Sequence, residues 1–360
     1  MQPLTVGLLF GGRSAEHDVS LMSASFVFEA LTRAGAQVVL IGIGRDGVWR
    51  HCPGANAVPE TVPESGGEVT LAPGRGGQLF SLDPSAGAVP TLDAVFPVLH
   101  GPFGEDGTIQ GLLEIANVPF VGAGVLGSAV AMDKDVAKRL LRDAGLPIPR
   151  FIACALPDVP DFEAACAVLD GAPLFVKPAR LGSSVGVSKA EDAGAFGAAV
   201  ALAGRYDDKI LIEAFVPARE IECAVLDTGT ELIASVPGEI VPAIDRHGFY
   251  SYEAKYLDPS GAALVVPADL PATTAEQVRA LALKVFRVLG CAGMARIDFF
   301  LHKTTGEVLV NEANTIPGFT AISMYPRLME ASGVAGPELV ATLVDQAVRT
   351  WRRRHGRGTA

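Results

Sequence analysis

An arginine, two carboxylates and an amide stand close together in RIDFFLHKTTGEVLVNEANTIPGFT, from Arg296 to Thr320, at spacings that suit metal and phosphate chemistry. Apolar runs at Ile297 to Leu301 and Val308 to Val310 flank a polar turn at Thr304, Thr305 and Gly306, the pattern of a β-hairpin. With the turn centred on Thr305, Asp298 lies opposite Glu312 and Arg296 opposite Asn314. Side chains alternate along a strand, so all four share one face, and Ile297, Phe299 and Leu309 are expected on the other. Directly opposed carboxylates repel by up to about 1 kcal/mol unless a cation lies between them. Asp298, Glu312 and Asn314 offer hard oxygen donors, which suit Mg²⁺ shared with phosphate and do not suit Zn²⁺. A solvated polar face is the reading without chemistry.

A second group of candidates is cationic or hydroxylic. The strand-like Leu174-Phe-Val-Lys177-Pro178 runs into ARLGSSVGVS, where glycines, Ser183 and Ser184 let backbone N–H groups and hydroxyls approach phosphate oxygens while Lys177 supplies charge. Loops of this composition are common after strands, so the pattern alone is weak. Lys209 to Val216 reads as a strand, and its Glu213 could accept from an adenine amino group. Lys134 opens a helix expected over 133–144, where a cation gains nothing from the dipole and a surface role is the ordinary one. His100 follows the strand Leu92 to Leu99, and its place at a strand end favours substrate contact over a plain core position. Lys255 and a pair of tyrosines fall in a polar stretch, Gly248 to Leu257, that suits a lid.

These side chains need rigid elements to position them. LTVGLLFGGRSAEHDVSLMSASFVFEALTRAG reads as buried strand, glycine turn and helix closed by Gly35, with a further strand at Gln37 to Ile43. This is the start of a doubly wound α/β domain, in which ligands sit where strands end and helices begin. GLLFGGRS differs from a P-loop by its arginine and by Gly7 lying inside the strand, and the chain has no GxGxxG. Residues 51–90 are rich in glycine and proline, an irregular insertion with one hairpin at most. Pro119 to Gly127 reads as strand and turn, residues 151–216 as a small α/β module, and Arg219 to Leu226 with Glu231 to Pro237 as an antiparallel pair. Thr273 to Leu289 reads as a helix with a Thr273–Glu276 capping box.

The 360 residues carry a net charge of −11 and a hydrophobic content of 49%, enough for more than one core and unsuited to a broad nucleic-acid footprint. The basic run Arg349 to Arg357 reads as a solvated helix end. Cys52, Cys154, Cys166, Cys223 and Cys291 form no CxxC pair, which points to reduced thiols. With neither a signal-like N-terminus nor a membrane-length apolar run, a cytoplasmic protein is expected.

GGRSAEHDVS, LHGPFGEDGTIQG, AMDKDVAKRLL, FVKPARLGSSVG, SYEAKYL, ARIDFF and NEANTIPGFTAISMYP, in this order, resemble the D-alanine–D-alanine ligases of the ATP-grasp superfamily over nearly the whole chain. The resemblance implies an N-terminal α/β substrate domain over 1–122, a central ATP-grasp module over 123–216 and a C-terminal domain over 217–360, assembled as a homodimer. It implies ATP held by Lys134, Lys177, Glu213, Lys255 and the Ser183–Ser184 loop, with Glu220 at the ribose. Asp298, Glu312 and Asn314 would bind two Mg²⁺ ions, which Mn²⁺ could replace. Glu16 would bind the first D-alanine's ammonium group and link through Ser183 to Tyr256, and His100 would meet that substrate's carboxyl end. Ser323 and Met324 would hold the second D-alanine's carboxylate, Met324 through its backbone. Arg296 and the Gly318 N–H would stabilise the oxyanion of an acyl-phosphate ligation that supplies peptidoglycan precursors. Ligation to D-lactate or D-serine is the nearest alternative, and relatives that use D-lactate mostly carry histidine at the position of Tyr256. A silent ATP-binding protein on the same fold would be expected to lack Arg296, Glu312 or Asn314. A Rossmann-type dehydrogenase lacks support in the glycine pattern.

Overall fold

The structure, a computed structural model, describes residues 3–65, 67–82, 89–242 and 262–356. Lys255, Tyr256 and the rest of the expected lid lie outside them.

The first sheet follows from two buried strands and a turn that only glycine can make. β1 (Thr5–Gly11) leads into α1 (His17–Arg33), and β2 (Gln37–Ile43) and β3 (Trp49–His51) follow. A hairpin of β4 (Val69–Leu71) and β5 (Leu79–Ser81) lies within the insertion, and β6 (Ala94–Pro97) returns to the sheet. The order is β3-β2-β1-β6, with β1 parallel to both neighbours and β3 antiparallel at the edge. Val6, Leu8 and Phe10 pack under α1, while Leu9 and Val95 face α2 (Thr108–Ala116) on the opposite side, as a doubly wound sheet requires. Gly11 and Gly12 take φ of 87° and 100°, and a Cβ on Gly11 would meet the Ile43 carbonyl oxygen at 2.3 Å. The chain therefore turns at once into α1, and Glu16 stands at the N-cap of that helix without capping it.

The stretch read as strand and turn at Pro119 to Gly127 is different in the structure. Phe120 makes an isolated bridge to Val95, and a helix α3 (Val125–Met132) begins before Gly127. That glycine serves packing, since a Cβ there would meet the Gly290 carbonyl oxygen at 2.3 Å. α4 (Lys134–Asp143) starts at Asp133, whose side chain accepts from the Val136 N–H at 3.1 Å.

The second sheet is made of β7 (Phe151–Ala155), β8 (Leu174–Pro178), β9 (Ser188–Ala190) and β10 (Lys209–Ala214), in the antiparallel order β7-β10-β8-β9. α5 (Phe162–Leu169) and α6 (Ala193–Ala203) contribute to the core beneath it. The third sheet runs β14-β13-β11-β15-β16, with β12 also paired to β11. Its strands are β11 (Ala218–Asp227), β12 (Leu232–Ala234), β13 (Gly238–Pro242), β14 (Ala262–Val265), β15 (Met294–His302) and β16 (Val308–Asn314). α7 (Ala272–Val288) covers one face through Val278, Leu281, Ala282, Val285 and Phe286. The expected Thr273–Glu276 capping box is not formed. Pro271 takes the N-cap with extended backbone angles, so the helix starts earlier and Thr273 falls within its first turn. α8 (Met324–Ala331) and α9 (Gly336–His355) finish the chain, and both share a core with α1 and β1. Among the described residues no helix is long and apolar enough to cross a membrane. The five cysteines are unpaired, and burial pushes the Cys223 and Cys291 thiols up to about 12.

Candidate active site

The β15–β16 hairpin pairs Arg296 with Asn314 and Asp298 with Glu312, as the turn position requires. Beyond Asp298 the register shifts by one. Phe299 opposes Val310 and Phe300 opposes Leu309, leaving Asn311 as the extra residue of a bulge. The expected place of Leu309 on the face of Ile297 and Phe299 is thereby corrected, because the bulge lets Val308 and Val310 both bury against the α7 core. It also keeps Asp298 and Glu312 on the open face. Strand β11 adds Glu222 directly opposite Asp298, so Glu222, Asp298 and Glu312 form a row across three strands.

Protein cations meet these carboxylates. Arg296 grips Asp298 through two hydrogen bonds of 2.7 Å, and its Nε lies 3.0 Å from Glu222. Asn314 donates to Asp298 at 3.0 Å, and Lys134 Nζ lies 3.3 Å from Glu312 while donating to the Leu181 carbonyl at 2.8 Å. Lys134 therefore ties the glycine-serine loop to the hairpin. Among the described residues no cluster of three or more His, Cys, Asp or Glu side chains is arranged to hold a metal. A cation here would take Asp298, Glu312, the Asn314 amide and oxygens from elsewhere, and this mixed donor set fits a Mg²⁺–phosphate complex.

A cleft of about 480 Å³ opens between the second and third sheets, lined by Lys134, Lys177, Ser183, Ser184, Glu213, Glu220, Asn311 and Glu312 among others. At its floor Glu213 lies between two lysines, Lys177 at 2.8 Å and Lys138 at 3.2 Å. Burial opposes the charge on Glu213, yet the two ammonium groups hold its pKa below the ordinary value, while burial lowers that of Lys138. Lys177 and Lys138 thus bracket the Glu213 carboxylate in a desolvated place at the cleft. Each Glu213 oxygen already faces a lysine, so an adenine amino group would meet only its remaining lone pairs. Ser183 and Ser184 have φ of 52° and 59°, strained for residues with a Cβ, in the loop beside the cleft. Ser183 Oγ donates to Glu16, joining that loop to the start of α1.

Behind this contact, His100 is buried and neutral, its pKa lowered chiefly by burial. Its Nδ1 pairs with the Ile316 carbonyl at 3.0 Å and its Nε2 with Ser23 Oγ at 3.0 Å. Both ring nitrogens of His100 are therefore engaged by protein groups in this arrangement. Glu105 accepts from the N–H groups of Gly101 and Ile316, and burial, with the nearby charge of Glu16, pushes its pKa up to about 8. Gly318 sits in close approach to Ser323, whose Oγ accepts from the Thr320 N–H at 3.0 Å. The Met324 side chain is buried against Gly238.

The structure thus brings together Arg296, Asp298, Glu312, Asn314 and Lys134, then Lys177 with Glu213, and Glu16 with Ser183. Lys138, Glu222, Ser23, Glu105 and Asn311 escaped sequence reasoning. Lys138 stands four residues after Lys134, and Glu222 two after Glu220 on one strand face, so each carried a periodic signal. Ser23 carried none.

A cleft between two antiparallel sheets, lined by lysines and glutamates and fed by a doubly wound domain, defines an ATP-grasp protein. Residues 5–123 match the family described as D-ala D-ala ligase N-terminus, and residues 140–345 the D-ala D-ala ligase C-terminus. The D-alanine–D-alanine ligase A of Mesorhizobium japonicum is 51% identical over 354 residues, covering 97% of this chain and 98% of its own length. The solved D-alanine–D-alanine ligase of Coxiella burnetii superposes with a TM-score of 0.87 at 36% identity, covering 99% of this chain and 97% of its own. The VanG D-Ala:D-Ser ligase of Enterococcus faecalis gives 0.82 at 34% identity, covering 96% of this chain and 100% of its own. The chain belongs to the D-alanine–D-alanine ligase family.

Proposed function

We propose the following division of labour for the reaction of that family, the ATP-dependent ligation of two D-alanine molecules to D-alanyl-D-alanine for peptidoglycan precursor synthesis. A carboxylate is a poor electrophile, so ATP phosphorylates the first D-alanine to an acyl phosphate. The amine of the second D-alanine attacks it, and the tetrahedral intermediate expels phosphate. Glu16 holds the first D-alanine's ammonium group, with Ser183 fixing the Glu16 carboxylate. Lys134, Lys177, Ser184, Glu213, Glu220 and Lys255 bind the nucleotide. Arg296 and the Gly318 N–H stabilise the oxyanion, an effect of about 3–4 kcal/mol per donor in comparable sites. Ser323 and the Met324 backbone receive the second D-alanine's carboxylate, and Tyr256 closes the site with the lid. Mg²⁺ or Mn²⁺, two ions held by Asp298, Glu312 and Asn314, would neutralise and orient phosphoryl oxygens. The division into 1–122, 123–216 and 217–360, a homodimer and a cytoplasmic location belong to the same reading.

The observation that carries this assignment is the Glu16–Ser183 hydrogen bond, which joins the Glu16 carboxylate to the loop that borders the cleft. The test is product identification by mass after incubating the protein with ATP, Mg²⁺ and D-alanine, alone or with D-lactate or D-serine. Dipeptide from D-alanine alone is expected. Phosphate release without dipeptide would redirect the reading to another acceptor.

A further inference from the structure

The segment Ile316–Phe319 carries Gly318, yet its backbone is held from outside the third sheet. The Ile316 N–H donates to Glu105 Oε1 at 3.2 Å, and the Ile316 carbonyl lies 3.0 Å from His100 Nδ1. Three residues on, the Phe319 N–H donates to Ser23 Oγ at 3.2 Å, and Ser23 Oγ lies 3.0 Å from His100 Nε2. One set of proton positions satisfies every contact. With the proton on Nδ1, His100 donates to the Ile316 carbonyl, its Nε2 accepts from the Ser23 hydroxyl, and that hydroxyl oxygen accepts from Phe319. Ser23, on α1, is fully buried, as is His100 nearly so, and Glu105 lies in the loop after β6 that also receives its Gly101 N–H. The aromatic ring of Phe319 is seated among Phe26, Phe96 and Tyr325, which fixes the same segment from its side-chain side.

We infer that Ser23, His100 and Glu105 are positioning residues that staple the Ile316–Phe319 backbone to the first α/β unit and so aim the Gly318 N–H at the reacting carbonyl. None of the three need touch substrate. An oxyanion donor works only if it is aligned before the charge develops, and Gly318 has no side chain of its own to hold it. Two backbone amides and one carbonyl of a four-residue stretch are anchored by side chains from α1 and from the loop after β6, so the oxyanion donor is complete only when the two units are docked. Pro317 lacks an N–H, which leaves Gly318 as the one amide of this stretch not engaged by these three side chains.

This inference rests on the ligase reading above, and the experiment separates the two. Ser23→Ala removes the acceptor for Phe319 and the partner of His100 Nε2 while leaving no bulk to accommodate, and Glu105→Ala releases Ile316 independently should the first variant fail to fold. Two quantities are read on the full chain: hydrogen–deuterium exchange of the peptide spanning 315–320, and the kinetics of dipeptide formation. Exchange there is expected to quicken at least about tenfold, and kcat to fall about ten- to a hundredfold with KM for ATP within twofold, the split of a misaligned donor as opposed to a damaged cleft. Unchanged exchange, or a kcat equal to wild type, overturns the staple. Loss of ATP binding in step with kcat overturns it too, by making the effect a general loosening. Absence of dipeptide from the wild-type protein would instead overturn the ligase reading, and with it the catalytic purpose of the staple.

Discussion

Glu213, in the cleft, and Glu105, against the Ile316 loop, are carboxyl groups that burial pushes the same way and that their neighbours drive apart. Glu213 has two lysines and stays charged, so Glu213→Gln leaves two ammonium groups without a counter-charge at its floor. The expected loss is about 3–5 kcal/mol in a urea denaturation, as for one partner removed from a buried pair. Lys138→Met should cost clearly less, because Lys177 still neutralises the carboxylate. A larger loss for Lys138→Met would show that the trio is not organised around Glu213. Glu105 sits near Glu16 and Arg296, and its folded pKa of about 8 lies above the ordinary 4.5. The folded state then holds more protons than the unfolded one between those values, so this carboxyl group makes the protein less stable as pH rises through that window. The limit for one proton is about 1.4 kcal/mol per pH unit. Relative to Glu105→Gln, wild type should therefore lose unfolding free energy from pH 5 to pH 8, and a parallel pH dependence of the two proteins would contradict it. Lys138 and Glu105 were not legible as functional in the sequence, since burial and partners decide both and neither is a property of spacing.

At the scale of the element, the β15–β16 hairpin shows how far pattern reading reaches. The pairing of Asp298 with Glu312 followed from the turn and the period of two. The bulge at Asn311 did not, because one extra residue is stored wherever core packing gains most, and here it lets Val308 and Val310 share the α7 core. The same packing logic explains α3, where a glycine taken for a turn proved to be a contact surface for Gly290. Glu312→Gln keeps the strand and its volume but removes the charge that meets Lys134 and the proposed metal. Turnover with Mg²⁺ should fall at least about a hundredfold while far-UV circular dichroism is unchanged, in keeping with losing one aligned charge at a phosphoryl site. Activity within a few-fold of wild type would remove the hairpin from the chemistry.

Across the whole molecule, the three sheets share work that no single one could do. The first supplies Glu16 and the staple, the second the glycine-serine loop and Lys177, the third Arg296 and the acidic row. α9 returns to pack on α1, so the last helix of the chain stabilises the first. Tyr256 lies outside the described residues, and its prediction is one of specificity. Tyr256→Phe should raise the ratio of D-lactate to D-alanine used as second substrate, measured by competition and mass detection. An unchanged ratio would remove that tyrosine from substrate choice.

The sequence by itself determined the family, the doubly wound opening and the pairing of Arg296 with Asn314 and Asp298 with Glu312, because these depend on local spacing and on motifs in fixed order. Tertiary structure alone decided that Lys138 is a buried counter-charge, that Glu222 extends the acidic row, that His100 spends both nitrogens on protein, and that Ser23 grips a loop 296 residues away. Hydrogen bonds between distant segments leave no periodicity in a chain. They exist only once the hydrophobic cores have brought those segments together.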